Sequence, residues 1–166
     1  MKQELDELLC KKYPKMMVNR NLPMTETCMC WGFECGDGWF NILDQLMGSI
    51  QHHIDWKNES SEVVAQVTLD QVKEKFGTLR FNYTGGDDII DGMVCMAESM
   101  SGVTCEECSA PAETHGPGWI RTICKPCEEQ LEIDRAESLR EYENKISQSL
   151  VPRRRRHSTM PRVRYP

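Results

Sequence analysis

Residues 105–127, CEECSAPAETHGPGWIRTICKPC, contain two Cys-x-x-Cys pairs, Cys105/Cys108 and Cys124/Cys127, separated by fifteen residues. Each pair can turn two thiolates toward one cation, and the second pair completes a tetrahedron. The spacing is typical of structural zinc sites, and zinc accepts soft sulfur ligands without a ligand-field preference. We therefore predict one zinc ion held by these four cysteines; two disulfides or four unligated thiols are the alternatives. Four sulfur ligands leave no open position for a substrate, so the predicted zinc is structural.

The residues around the two pairs predict a zinc-ribbon or treble-clef finger over residues 103–130. The first pair lies on a tight turn, a strand over 119–123 returns the chain, and the second pair opens a helix. Pro126 fits the first turn of that helix, where a missing N–H has no cost. The helix continues as a long polar segment over 131–150. Its thin apolar seam, within 128–148, could pair with a second copy, which makes a homodimer one expectation.

Residues 1–102 are predicted to form an α+β body in which a helix, a β-hairpin and a second helix follow a short N-terminal helix over 2–12. A helix from about Trp39 to Asp55 carries one apolar stripe, with Asp37 as its expected N-cap. Alternating apolar residues predict a hairpin over 63–83 with a bulge at 70–72. A turn over 84–87 follows, with Asp87 capping a helix that ends at Gly102.

Composition limits the class of protein. The 166 residues, 39 % of them hydrophobic, suffice for one domain with a small appendage. No apolar run approaches membrane-spanning length, and the N-terminal MKQELDELLC is charged rather than signal-like. We expect a soluble cytoplasmic protein without a membrane partner. Its nine cysteines are then expected to be reduced outside the zinc site.

Charge is divided unevenly between residues 1–152 and the C-terminal tail. Residues 153–166 contain six of the twenty basic residues and no acid, so residues 1–152 carry −12 within a chain of net charge −6. The tail, 151–166, is predicted to be disordered. Its run of Arg153, Arg154, Arg155 and Arg156 can bind nucleic-acid phosphates or an acidic protein surface, or fold back on the body. The acidic body opposes an approach to DNA.

Other groupings of residues suggest further sites. Cys28, Cys30, Cys35 and His52 form a candidate second zinc site, for which buried reduced thiols are the favoured alternative. On the predicted finger, Trp119 and Arg121 could stack on a base, although an aromatic residue at strand spacing more often belongs to the core.

Acid–base groups lie close together before and at the end of the first long helix: Glu34, Asp37, His52, His53 and Asp55. They could serve a metal-dependent hydrolase, or equally a helix cap and a solvated helix end. No HExxH, GxSxG, P-loop or paired-carboxylate nuclease motif accompanies them. We expect no enzymatic activity, with a small hydrolase as the third hypothesis.

Four segments occur in a fixed order: MCWGFECGDGW (29–39), QVKEKFGTLRF (71–81), the turn and helix start over 84–92, and the two cysteine pairs over 105–127. Together they resemble a group of small uncharacterised phage and prophage proteins, over roughly residues 28–130. The resemblance implies a phage-infected bacterial cytoplasm, where small accessory proteins commonly bind and block a host protein. It brings no catalytic residues with it.

From these observations we expect a non-catalytic binding protein that inhibits or redirects a host protein, for example a nucleic-acid-binding defence factor. An acidic body suits such a target because it can compete with the polyanion for the same surface. The alternative hypothesis is a nucleic-acid-binding zinc-finger regulator that uses the finger and the arginine-rich tail.

Overall fold

The computed structural model describes residues 1–60 and 62–149. Their content is mixed helix and strand, which confirms the expected mixture of both element types. In chain order the elements are α1 (Gln3–Lys12), β1 (Phe33–Glu34), α2 (Phe40–Glu59), β2 (Ala65–Lys75), β3 (Thr78–Gly86), α3 (Asp88–Ser101), β4 (Glu113–His115), β5 (Arg121–Ile123) and α4 (Lys125–Ser149). Short 3-10 turns over Met29–Trp31 and Asp37–Trp39 flank β1. Every helix within the described residues is too short or too polar to span a lipid bilayer.

The chain divides into two compact units. Met1–Glu128 form the first, so the body and the cysteine pairs belong to one unit, and the second begins at Glu129. The described part of the second unit is the remainder of α4, on which Ile133, Leu139 and Tyr142 are exposed. The predicted arginine-rich tail, 151–166, lies outside the described residues.

Helix α2 is the centre of the first unit. The apolar stripe predicted for it is buried, namely Trp39 in the turn before it and Leu43, Leu46, Met47, Ile50 and Ile54 along it. Because these side chains recur every three or four residues, they share one helix face. The helix contacts β2 and α3. Each buried side chain of this size contributes about 1.5–3 kcal/mol, so this face is a main source of stability.

The start of α2 corrects the predicted cap. The helix begins at Phe40, and Asp37 lies in the 3-10 turn before it without capping either element. Its carboxylate accepts a hydrogen bond from the backbone N–H of Lys2 at 2.7 Å and pairs with Lys2 Nζ at 3.0 Å. The prediction was wrong because the 3-10 turn moves the first helical residue too far along the chain for this side chain to reach the free N–H groups.

The first sheet has the order β1-β2-β3. Strands β2 and β3 form the predicted hairpin, closed by Phe76 and Gly77, and a register shift between Leu69 and Gln71 places a bulge at Asp70. The turn predicted over 84–87 was wrong, because β3 continues to Gly86 opposite Ala65. Strand β1 pairs in parallel with β2, a pairing that its two residues gave no pattern to predict.

Helix α3 begins and ends where its sequence predicts. Asp87 accepts a hydrogen bond from the backbone N–H of Ile90 at 3.1 Å, and Gly102 is the C-cap. Ile90, Val94 and Ala97 are buried, as expected for the inner face. Met100 is 47 % exposed, so the apolar surface of α3 is wider than the face that the core covers.

Candidate metal centre

The four cysteines of the two pairs come together within the first compact unit. Their Sγ atoms all lie within 4.8 Å of one another, and Cys108 Sγ is 3.6 Å from Cys124 Sγ. A tetrahedral ion with metal–sulfur bonds of about 2.3 Å places its sulfurs about 3.8 Å apart, so the cluster has the dimensions of such a site. All nine cysteines are free, which leaves the four sulfurs available as ligands.

A tight turn positions the first pair. The backbone N–H of Cys105 bonds to the carbonyl of Ala110 at 2.7 Å, and the N–H of Ser109 bonds to the carbonyl of Cys105 at 3.0 Å. These bonds fold the chain back so that Cys105 and Cys108 face the same point. Cys105 is buried, whereas Cys108 lies at the surface.

The second pair is positioned by the junction between a strand and a helix. Cys124 follows β5 directly, and Cys127 lies in the first turn of α4. The backbone N–H of Glu128 bonds to the carbonyl of Cys124 at 3.0 Å, which begins the helix at this pair. Strand β4 pairs antiparallel with β5 and carries the chain from the first pair to the second.

The electrostatics of the cluster favour a bound cation. Burial raises the pKa of the Cys105 thiol, but backbone N–H groups of Cys124, Cys108 and Glu107 outweigh burial and lower that pKa to about 7. Burial and then the neighbouring sulfurs raise the pKa of Cys127 above the usual range. Because four thiolates at this distance repel one another, a divalent cation is what allows all of them to ionise together. The all-sulfur donor set fits a soft or borderline ion such as zinc.

The CGDGW segment contacts the turn that carries the first pair. Gly36 N–H donates to Glu106 Oε1 at 2.9 Å, and Gly38 N–H donates to the Glu106 carbonyl at 2.7 Å. Trp39 Nε1 donates to the carbonyl of Thr104 at 2.8 Å. A Cβ atom at Gly36 or Gly38 would lie 2.2 Å from a backbone oxygen of Glu106 or Cys105. The two glycines are therefore required by a close backbone approach to the metal turn.

The hairpin turn of the body contacts the β4–β5 strands. The hydroxyl of Thr122 donates to the carbonyl of Gly77, and a Cβ atom at Gly77 would lie 2.6 Å from Thr114 Cγ2. Gly77 also has φ +80°, a conformation that favours glycine. Thr114 and Thr122 share a hydroxyl–hydroxyl hydrogen bond of 2.7 Å. Both motifs that precede the cysteine pairs thus hold the four-cysteine cluster against the body.

The candidate second zinc site is not assembled. Within the described residues, only the four-cysteine cluster brings three or more metal-ligating side chains this close together. Cys28 and His52 are exposed, and the Cys30 thiol lies 3.3 Å from the carbonyl of Thr27. Burial raises the pKa of the Cys35 thiol to about 12. Cys35 therefore fits the alternative interpretation, a buried and reduced thiol.

The candidate acid–base residues contact structural partners. His53 is buried and its Nε2 lies 2.8 Å from Asp87 Oδ2, which joins α2 to the cap of α3. Asp55 pairs with Lys15 Nζ at 2.9 Å, and Glu34 accepts a hydrogen bond from Gln71 at 3.1 Å. His53, Asp55 and Glu34 therefore belong to three separate contacts, and none of these contacts includes the Asp37–Lys2 pair.

The residues proposed for base stacking are placed differently from each other. Trp119 is 78 % exposed between β4 and β5. Arg121 Nη2 donates to Glu107 Oε1 at 2.6 Å, so its charge is directed at an acid of the metal turn. Arg153, Arg154, Arg155 and Arg156 lie outside the described residues.

No family model, curated protein or solved structure matches the chain. The resemblance to phage proteins therefore stays a prediction, and the site is argued from its own geometry. Sequence patterns did not indicate the role of Glu106, whose backbone and side chain both contact the CGDGW segment. The only signal near it was its position inside a Cys-x-x-Cys turn, which by itself does not point to the CGDGW segment.

Proposed function

We propose that this chain is a small zinc-binding accessory protein, encoded by a phage or prophage, that binds a protein of the bacterial host and inhibits or redirects it. The supporting observation is the four-sulfur cluster. Four thiolates fill the coordination of a tetrahedral zinc ion and leave no position for water or substrate. The zinc then stabilises the fold, and the activity of the protein is binding rather than catalysis.

The proposed zinc site is the centre of a treble-clef finger. One ligand pair comes from the Cys105–Cys108 turn, a β-hairpin follows, and the second pair comes from the start of α4. Zinc is chosen over other divalent ions because four thiolates without carboxylate or imidazole ligands suit a borderline-soft ion of flexible geometry. Contacts from the CGDGW segment and from Gly77 hold this finger against the body.

Charge supports the choice of a host target. Residues 1–152 carry −12, and a surface of this sign is attracted to a partner that has evolved to bind polyanions. A host factor that binds nucleic acid, such as a defence nuclease, presents such a surface. The phage setting and the bacterial cytoplasm follow from the motif resemblance alone.

The second candidate function is a nucleic-acid-binding regulator, which the exposed side chain of Trp119 favours. Residues 103–128 contain four acids and two basic residues, and a zinc ion with four thiolates adds further negative charge. Phosphate would be repelled from this region, so binding would depend on the arginine-rich tail. Salt-sensitive DNA binding that is lost when residues 152–166 are deleted would support this function.

The experiment is affinity capture with the full chain from a bacterial host lysate, divided into nuclease-treated and untreated halves. Each captured host protein is then purified and mixed with the chain. A stoichiometric complex that survives nuclease and changes the activity of the host protein supports the proposal. Recovery of nucleic acid alone, or of partners that disappear with nuclease, contradicts it and supports the regulator.

A further inference from the structure

Cys108 is the exposed member of the four-cysteine cluster. Cys105 is buried, and Cys124 and Cys127 are half-buried. A small oxidant that diffuses in from solvent therefore reaches the sulfur of Cys108 first. Oxidation of a cysteine follows its exposure and its thiolate character, and a sulfur that ligates a metal is a thiolate. Cys108 is thus the member of the cluster that is most open to oxidation.

The sulfur of Cys124 is placed to react with an oxidised Cys108. The two Sγ atoms lie 3.6 Å apart, whereas a disulfide requires an S–S distance of about 2.05 Å. Each sulfur then has to move by only about 0.8 Å to form the bond. The loop that such a disulfide closes, residues 109–123, already folds back on itself as β4 and β5.

Hydrogen bonds that involve no sulfur hold both residues in place. Next to Cys108, the hydroxyl of Ser109 donates to the carbonyl of Gly38 at 2.6 Å. Two residues before Cys124, the hydroxyl of Thr122 donates to a backbone carbonyl in the turn of the body's hairpin. Because these bonds do not depend on a metal ion, the two sulfurs are expected to remain neighbours when the ion leaves.

We propose that Cys108 is a site of reversible oxidation, and that its oxidation by hydrogen peroxide converts the four-cysteine cluster from a metal site to a disulfide. The Cys108 thiolate attacks one peroxide oxygen, the O–O bond breaks and hydroxide leaves, which gives a sulfenic acid. The Cys124 thiolate then attacks the sulfur of the sulfenic acid and displaces a second hydroxide. The two sulfurs lose two electrons in total, the peroxide gains them, and the two hydroxides take up two protons to become water.

The disulfide removes two of the four sulfur ligands. Cys105 and Cys127 remain, and two sulfurs do not fill the tetrahedral coordination that zinc has in structural sites. The ion is then expected to dissociate, and Cys127 at the start of α4 loses its link through the metal to the turn of the first pair. The inference rests on the zinc centre of the proposed function, and it adds regulation by oxidation to that centre.

The test uses the full zinc-loaded wild-type chain without reductant. Hydrogen peroxide is added, and the released zinc is measured with a chromogenic zinc indicator. The pairing of the cysteines is then mapped by mass spectrometry after alkylation of the remaining thiols. We expect zinc to be released in equal amount to the disulfide formed, with Cys108 joined to Cys124. Dithiothreitol and added zinc should restore the metal content.

Two variants separate Cys108 from the other exposed cysteines. Cys108→His replaces the thiolate by an imidazole, and three cysteines with one histidine also form a structural zinc site. This variant is expected to release zinc at least about tenfold more slowly in peroxide. The matched control is Cys95→Ser, because Cys95 is exposed and lies outside the cluster, and it should release zinc at the wild-type rate. The disulfide map of the wild type decides the proposal even where Cys108→His binds no zinc.

Any of three results would overturn the proposal: zinc that stays bound while peroxide oxidises the chain, a first disulfide that does not join Cys108 to Cys124, or zinc release from Cys108→His at the wild-type rate. The proposed function fails in a different way. A reduced chain that binds no zinc contradicts the zinc centre itself. A zinc-loaded chain that retains its metal in peroxide contradicts only the oxidation of Cys108.

Discussion

Replacing Gly38 by alanine tests the contact between the CGDGW segment and the metal turn. At an unstrained position this change stabilises a protein by about 0.4–1 kcal/mol, because alanine restricts the unfolded chain. At Gly38 the new Cβ would lie 2.2 Å from the Cys105 carbonyl oxygen. The Cys105–Glu106 backbone has to move by about 1 Å to accept it, since contacts of carbon with oxygen closer than about 3 Å are strongly repulsive.

That movement breaks two hydrogen bonds, from Gly38 N–H to Glu106 at 2.7 Å and from the Ser109 hydroxyl to the Gly38 carbonyl at 2.6 Å. Each contributes about 1 kcal/mol, and overpacking adds about 1–3 kcal/mol. After the gain from restricting the unfolded chain, the free energy of unfolding is expected to fall by about 2–4 kcal/mol.

Gly92 is the matched control. It lies within α3, where an added Cβ meets nothing within 4 Å. Gly92→Ala is expected to raise the free energy of unfolding by about 0.5–1 kcal/mol, so the same chemical change has opposite signs at the two positions. Urea unfolding of the zinc-loaded proteins in reducing buffer, followed by circular dichroism and tryptophan fluorescence, measures both. A neutral or stabilising Gly38→Ala, beside a stabilising Gly92→Ala, would refute the described contact.

Three further predictions concern the metal and two buried contacts. The purified chain is expected to bind one zinc ion, and cobalt in its place should give the thiolate-to-metal absorption of a four-sulfur site. Cys124→Ser or removal of the metal by a chelator should lower the melting temperature, whereas Cys28→Ser should not. Asp87→Ala is expected to cost about 1–2 kcal/mol through loss of the cap of α3, and Asp87→Asn should restore part of it. The hydrogen bond from His53 holds the pKa of Asp87 below its ordinary value of 3.8. The ionised Asp87 carboxylate therefore stabilises the fold above that pH, and this stabilisation is lost as the pH falls through the lowered pKa. In acid titrations of stability, the difference between wild type and Asp87→Asn should shrink over that pH range. Burial raises the pKa of Glu106, which means that its charge is unfavourable in the folded state; Glu106→Gln should therefore increase stability at pH 7, and denaturation that shows a decrease would contradict this cause.

The clustering of the four cysteines could be predicted from the sequence because its geometry is local. Each Cys-x-x-Cys pair is brought together by one turn or by the first turn of one helix, and those turns have characteristic spacings. The buried stripe of α2 was predicted for the same reason, since a helix period repeats within a few residues. The distance between the two pairs depends only on a short hairpin, β4–β5, which leaves few ways to separate them.

The two aspartate caps show where local patterns stop being sufficient. Asp87 and Asp37 both precede apolar helices, yet only Asp87 is a cap. The difference arises at Gly36, whose N–H bonds to Glu106, a residue seventy positions away. This long-range contact fixes the 3-10 turn before α2, and the sequence near Asp37 contains no pattern from which it could be predicted. Strand β1 likewise extends the chain between Cys30 and Cys35 to pair with β2, a pairing that no local pattern near these cysteines indicates.

These contacts give a structural reason for the glycines in the motifs that resemble phage proteins. Gly36 and Gly38 allow the backbone to approach the Cys105 turn, and Gly77 allows the approach of Thr114. The segments that carry the resemblance therefore specify how the four-cysteine cluster is connected to this body. Proteins that share these segments would share this connection between the four-cysteine cluster and the body, whereas their partner-binding surfaces can differ.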